Sequence, residues 1–218
     1  KRADHSRLLT AFSPVADGVL AQADSPLLRL EVLRAAEPGS YALFQVARAG
    51  HDTQAPLPAN LRYALNITEP LARYRTVFPE RSRWHVAQPP ADKDARAQMG
   101  VLELRVELVT YRVRADKAGA FARAWPRLGY SALNDDGTVR CDLLREEAAV
   151  GADVAVFLAR KAFRSAAASE AHGSSEAMAR WLAEVGDWLQ DAPSTRLLSS
   201  TYPPTRPFFV FWSAWSLA

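Results

Sequence analysis

An α+β fold made of two ferredoxin-like units is what this sequence predicts, and three observations carry the prediction. Residues 101–198 read in order as strand, helix, strand, strand, helix, strand. A fainter copy of that order runs through residues 6–90. The strands also carry apolar residues on both faces, so the sheet face left bare by the helices must be covered too. The simplest arrangement packs two four-stranded antiparallel sheets face to face, as a pseudo-dimeric α+β barrel.

The elements follow from local chemistry. SRLLTAF, from Ser6, alternates as a strand, and a short helix is expected over about 19–23. LLRLEVLR (27–34) and YALFQVAR (41–48) form a hairpin, because Glu37-Pro38-Gly39-Ser40 between them favours a tight reversal. Residues 50–60 are a loop. Thr68-Glu69-Pro70 predicts a helix start, with the proline where its missing N–H costs least, running to about Phe78. RWHVA (83–87) is the last short strand of this half, and the polar, Ala-rich residues 91–100 are a linker.

The second half is more sharply written. VLELRVELVTYRV is a long strand. Asp116 is placed to cap a helix over about 117–128, with Ala120, Phe121, Ala124, Trp125 and Leu128 at three- and four-residue spacing. Asn134-Asp135-Asp136-Gly137 is a turn, followed by the hairpin TVRCDLLR and ADVAVFLARKAF. Ser174-Ser175-Glu176 opens a second helix with Met178, Trp181, Leu182, Val185 and Leu189 as its apolar stripe, and STRLLS is the closing strand. The domain reading is therefore a degenerate unit at 1–90, a linker at 91–100, a better-kept unit at 101–205 and an apolar tail at 206–218. Four matches support duplication: LLTAFSPVAD with LVTYRVRAD, LRLEVLR with VRCDLLR, TEPLARY with SEAMARW, and RWHVAQPP with TRLLSSTYPP. Each is weak alone, but they fall in the same order.

Composition narrows the function classes. Of 218 residues, 49% are hydrophobic and 23% charged, a folded-domain composition. Net charge is +3, and the 27 basic residues include only four lysines, a bias of arginine-rich coding rather than a basic stripe. Nucleic acid is not an expected partner. One cysteine, Cys141, forms no disulfide framework and fits a reducing, cytoplasmic setting. The four histidines are scattered, without metal-ligand spacing, so no metal is expected. No apolar run reaches the roughly 18 residues of a membrane helix. RPFFVFWSAWSLA (206–218) is instead expected to pack on the barrel or to join a second copy as a homodimer.

The run TYRVRADKAGAFARAW, TVRCDLLRE, VFLARKAF, SEAHGSSEAMARWL, APSTRLL resembles the antibiotic biosynthesis monooxygenase type of dimeric α+β barrel. Tyr111, Val113, Lys117, Phe121, Trp125, Cys141, Leu143, Leu144, His172 and Trp181 occupy comparable places in that pattern. Coverage is good over 101–200 and weak over 6–90. The resemblance implies oxidation of an electron-rich aromatic or quinol-type molecule by O2 without metal or organic cofactor. It also implies a pocket between the sheet and the helices of one unit. The family's Tyr-Glu-x-Trp-like strand motif is altered: Phe157-Leu158-Ala159-Arg160 or, in a shifted phase, Arg160-Lys161-Ala162-Phe163 stands there, and the glutamate is missing.

Candidate site residues are weighed against ordinary packing. His172, in a Ser/Ala/Gly-rich stretch taken as a loop, titrates in a range suited to a catalytic base, or is a surface histidine. Tyr130 follows Gly129 at a helix end and suits a catalytic, wall or gate role. Trp125 and Trp181 line a substrate pocket or are a buried helix stripe, and Trp188 is read the same way. Arg160, with Lys161, binds a substrate anion or lies on a solvent-facing edge. His85 reads as structural. Three functions remain open: a cofactor-independent monooxygenase-like protein, a non-catalytic barrel for ligand binding or assembly, and haem binding, for which His172 is the one axial candidate.

Overall fold

The computed structural model describes residues 27–35, 41–47, 74–78, 104–147 and 152–202. The expected strand at 6–12, helix at 19–23, strand at 83–87, linker and C-terminal tail lie outside these residues. The chain divides into two compact units: Lys1–Pro70, Ala97–Glu103 and Leu198–Ala218 form one, and Leu71–Arg96 and Leu104–Leu197 the other.

In the first unit, β1 (Leu27–Ala35) and β2 (Tyr41–Ala47) are the antiparallel hairpin that Glu37-Pro38-Gly39-Ser40 predicts, with Val32 opposite Leu43. The other edge of β1 pairs antiparallel with the end of β7 (Ser194–Tyr202), Leu33 opposite Ser200. A strand at the end of the sequence thus completes a sheet begun near its start.

The second unit contains β3 (Tyr74–Phe78), β4 (Arg105–Arg114), α1 (Ala118–Leu133), β5 (Thr138–Glu146), β6 (Val154–Phe163), α2 (Ala166–Gly173), α3 (Glu176–Val185) and residues 194–197 of β7. From β4 onward this is the expected βαββαβ order, with the second helix in two pieces. Strands β4, β6, β5 and β3 neighbour one another in that order, all antiparallel. No helix among the described residues is long and apolar enough to cross a membrane.

Four expectations need correction. The helix read to Phe78 does not extend there, because Tyr74–Phe78 is a strand on the outer edge of β5. YRTVF is rich in residues that suit a pleated surface, and an unpaired β5 edge overrides a helix start signal upstream. Asp116 does not cap α1. It sits in a 3-10 turn, Ala115–Lys117, between Arg114 and Lys117, and Lys117 occupies the cap without a side-chain bond. The helix then runs five residues past 128, through Pro126 and Gly129, to Leu133. Finally, the stretch around His172 is helical, not a loop: Ser165 caps α2 by accepting from the Ala168 N–H at 3.1 Å. Ser175 then restarts the chain as α3 by accepting from the Met178 N–H at 3.2 Å.

The core lies between the sheet and α1 and α3. Phe121, Trp125 and Leu128 of α1 and Met178, Trp181 and Val185 of α3 pack on Val109, Tyr111 and Val113 of β4, Cys141 and Leu143 of β5, and Ala155, Phe157 and Ala159 of β6. Leu182, expected in the α3 stripe, is instead 41% exposed. Gly129 has a packing reason: a Cβ there would lie 2.6 Å from the ring of Phe78, so the edge strand can approach α1 only over a glycine. Gly129→Ala should therefore destabilise the unit by about 1–3 kcal/mol through overpacking, read as a lower urea midpoint with an unchanged slope. Stability equal to wild type would mean that β3 does not dock against α1.

Candidate functional site

Strand β6 sets the site, because its two adjacent cations point to opposite sides of the sheet. In register, Glu107 of β4, Lys161 of β6 and Cys141 of β5 lie opposite one another in one row. Cys141 belongs to the helix-side core, so the row faces the helices. One residue along, Leu108, Arg160 and Asp142 form the next row, on the other face. Both cations are 3% exposed, so neither occupies the solvent-facing edge position that sequence alone allows.

On that other face Arg160 Nη1 donates to Asp142 Oδ2 at 3.1 Å, and Arg140 Nε stands 3.5 Å from the same oxygen. This buried carboxylate between two guanidiniums is a built ionic cluster. A carboxylate in this position keeps adjacent buried cations from repelling one another.

On the helix face, Lys161 is bordered by aromatic and polar groups. Its Nζ lies 5.9 Å from the Trp125 ring centroid, a cation–π distance. The Trp125 ring meets Trp181 edge to face at 5.2 Å, and both contact Tyr111. From α2, the Ser169 hydroxyl donates to Glu107, whose carboxylate also lies 3.8 Å from Arg105 Nε. His172, on the same helix, is 4% exposed and packs on Phe163 at 5.4 Å, so it is not a surface histidine. Helix α2 is held close by the turn before β5. Gly137 leaves room for Ala168, whose Cβ would stand 2.6 Å from a Cβ at Gly137.

Burial governs how these groups titrate. The His172 imidazole is pushed down to about 4, first by desolvation and then by the Lys161 charge, with Asp135 opposing. It is neutral at physiological pH, and its buried Nε2 has no hydrogen-bond partner. Burial lowers Lys161, against the pull of Cys141 and Glu107. Burial raises the Cys141 thiol to about 12, with Lys161 opposing, and raises the Tyr111 phenol. Thiol and phenol therefore stay protonated and are not nucleophiles at neutral pH. His172 is the group free to accept a proton, and Lys161 the group able to hold a negative charge.

Of the residues singled out from sequence, Trp125 and Trp181 meet directly, and His172 joins them through Lys161. Arg160 is on the far face with Asp142. Tyr130 is 51% exposed at the end of α1, edge to face with Phe78 at 5.0 Å. Trp188 is half-buried against the core. Glu107, Ser169 and Cys141 were not among the sequence candidates. The spacing of Lys161 and His172 on one strand-to-helix connection was the available signal, and it needed the strand phase to be read. Among the described residues no group of His, Cys, Asp and Glu could hold a metal ion.

Known structures share this architecture. A protein of Lactobacillus acidophilus described as a "putative monooxygenase" superposes with a TM-score of 0.64 at 10% identity, covering 90% of this chain and 87% of its own. A Fusobacterium nucleatum protein with the same description gives 0.59 at 10% identity, over 92% of this chain and 87% of that one. A "putative antibiotic biosynthesis monooxygenase" of Nitrosomonas europaea, 22% identical, covers 46% of this chain and 93% of its own with a TM-score of 0.42. The resemblance to the monooxygenase-type α+β barrel holds at the level of the fold. No family model matches the sequence, and no curated protein matches it. The fold class read from sequence, two ferredoxin-like units of the pseudo-dimeric barrel type, is the class of the first two structures, whose likeness spans nine-tenths of the chain.

The His172 shift makes stability depend on pH. The unfolded chain takes up a proton near 6.5 and the folded chain only near 4, so between these values the unfolded state binds more protons. The stabilising contribution is complete above about 6.5 and is lost as pH falls toward 4. His172→Gln should flatten that dependence, measured as urea midpoints at pH 7.5 and 5. An identical dependence in both proteins would contradict a buried, neutral imidazole.

Proposed function

We propose that the chain is a monooxygenase-like protein that oxidises an aromatic or quinol-type small molecule with O2, without metal or organic cofactor, at the helix face of its second unit. The reading is carried by one observation: a neutral, buried imidazole with an unengaged Nε2 shares an aromatic-walled cluster with a buried ammonium. Cofactor-free oxygenation needs the substrate itself to supply the electrons. For an activated methylene the balance is R2CH2 + O2 → R2C=O + H2O, with one oxygen atom entering the product and the other leaving as water.

His172 takes the proton that generates the electron-rich anion. Lys161 holds the resulting negative oxygen, in a low-dielectric setting where that contact is worth more than in water. Trp125 and Trp181 provide flat apolar walls, and Tyr130 the rim. In this scheme Lys161 takes the part first considered for Arg160, whose side chain is engaged by Asp142 on the other face.

A second reading, a non-catalytic barrel, is favoured by the mutual packing of Trp125, Trp181, Tyr111 and Phe121, which is what a closed core requires. Oxygen uptake with a panel of hydroquinones and anthrone-type substrates separates the two. The monooxygenase reading expects one O2 consumed per ketone formed, and His172→Ala lowering kcat/KM by about 10²–10⁴. Absence of uptake across the panel, or full activity in the variant, would leave the non-catalytic reading standing.

A further inference from the structure

We infer that the helix-face cluster selects an aromatic ligand bearing one negative charge on an oxygen substituent, a phenolate, enolate or ring carboxylate, in preference to a neutral ring of the same size. This deepens the proposed function and rests on its placement of the site.

The charges in the cluster do not cancel. Lys161 and Arg105 are cations, Glu107 is the one carboxylate in the row, and His172 and the Cys141 thiol are neutral at physiological pH. Glu107 is already engaged by the Ser169 hydroxyl and approached by Arg105. Asp135, the remaining acid that acts on His172, is exposed at its turn. One buried positive charge is therefore in surplus, and an uncompensated buried charge is costly enough that such positions normally hold an ion partner.

The neutral polar atoms point to the same ligand. The Nε1 donors of Trp125 and Trp181 are buried without hydrogen-bond partners, on rings 5.2 Å apart, and His172 Nε2 is equally unpartnered. Buried polar atoms are nearly always paired in native proteins. Two orphan N–H donors beside a surplus ammonium suit a ligand whose oxygens accept hydrogen bonds and carry negative charge. A cationic amine or a pure hydrocarbon satisfies none of them. The strand phase adds a reason in sequence: with Phe163 against His172, Lys161 stands where the resembling family's motif, in its shifted phase, has glutamate. The sign of the site is reversed relative to that motif.

The test is calorimetric titration of the full chain at neutral pH with the anion of 2-hydroxy-1,4-naphthoquinone and with the neutral 2-methyl analogue, which share one bicyclic frame. The anion is expected to bind roughly ten- to a hundredfold more tightly, the range of a hydrogen bond to a charged group. Lys161→Met should remove the preference and Lys161→Arg should retain it. Equal affinities in the wild-type protein, which need no variant to fold, would overturn the inference, as would a preference that survives Lys161→Met. Binding of neither compound would overturn it too. Failure of the oxygen-uptake assay with the anion preference intact would instead remove only the oxygenation chemistry.

Discussion

Two positive charges on consecutive residues of one strand are the constraint around which the second unit is arranged. Arg160 and Lys161 cannot share a face, because side chains alternate along a strand, so each side of the sheet must accommodate a buried cation. Desolvating either without compensation would cost several kcal/mol. The solutions differ. On the far face Asp142 sits directly across the strand pair and takes both Arg160 and Arg140. On the helix face Glu107 occupies the corresponding place on β4 but divides its carboxylate between Arg105 and Ser169. The first is a closed structural cluster. The second is left open electrically, and that difference is what separates scaffold from candidate site.

The helices complete the asymmetry. Helix α1 brings Trp125 beneath the ammonium, and α3 brings Trp181 against Trp125; each edge-to-face aromatic contact adds about 0.5–1.5 kcal/mol beyond burial. Helix α2 contributes the polar members, Ser169 and His172, and is tied down by the Ser165 cap and by its approach over Gly137. Stability and placement of the polar groups thus come from the same contacts. The edge strand β3 extends this logic, since its Phe78 closes the outer side of α1 over Gly129.

Much of this was legible in the residues. The βαββαβ order of the second half, the hairpin of β1 and β2 and the Ser175 cap follow from periodicity and turn chemistry, since those signals are local. The identity of Tyr74–Phe78 was not legible, because what decides it is a free edge on β5, seventy residues away in sequence. The helical state of the His172 stretch was hidden by a composition of Ala, Ser and Gly that is neutral between helix and loop. The site was half legible. Trp125, Trp181 and His172 stand out by type and spacing, but choosing Lys161 over Arg160 depends on the phase of one strand, and a single-residue shift exchanges their faces. Glu107 and Ser169 carried no signal of their own, for each gains its meaning from a partner on another element.

The central claim is that Lys161 is the buried cation of the helix face. The chain has four lysines, so an NMR titration of the lysine Cε and Nζ resonances can resolve it from Lys1, Lys93 and Lys117. Burial should make Lys161 titrate below the other three, and its signal should be assigned by its loss in Lys161→Met. A Lys161 that titrates together with the exposed lysines would place its ammonium in water and contradict the account.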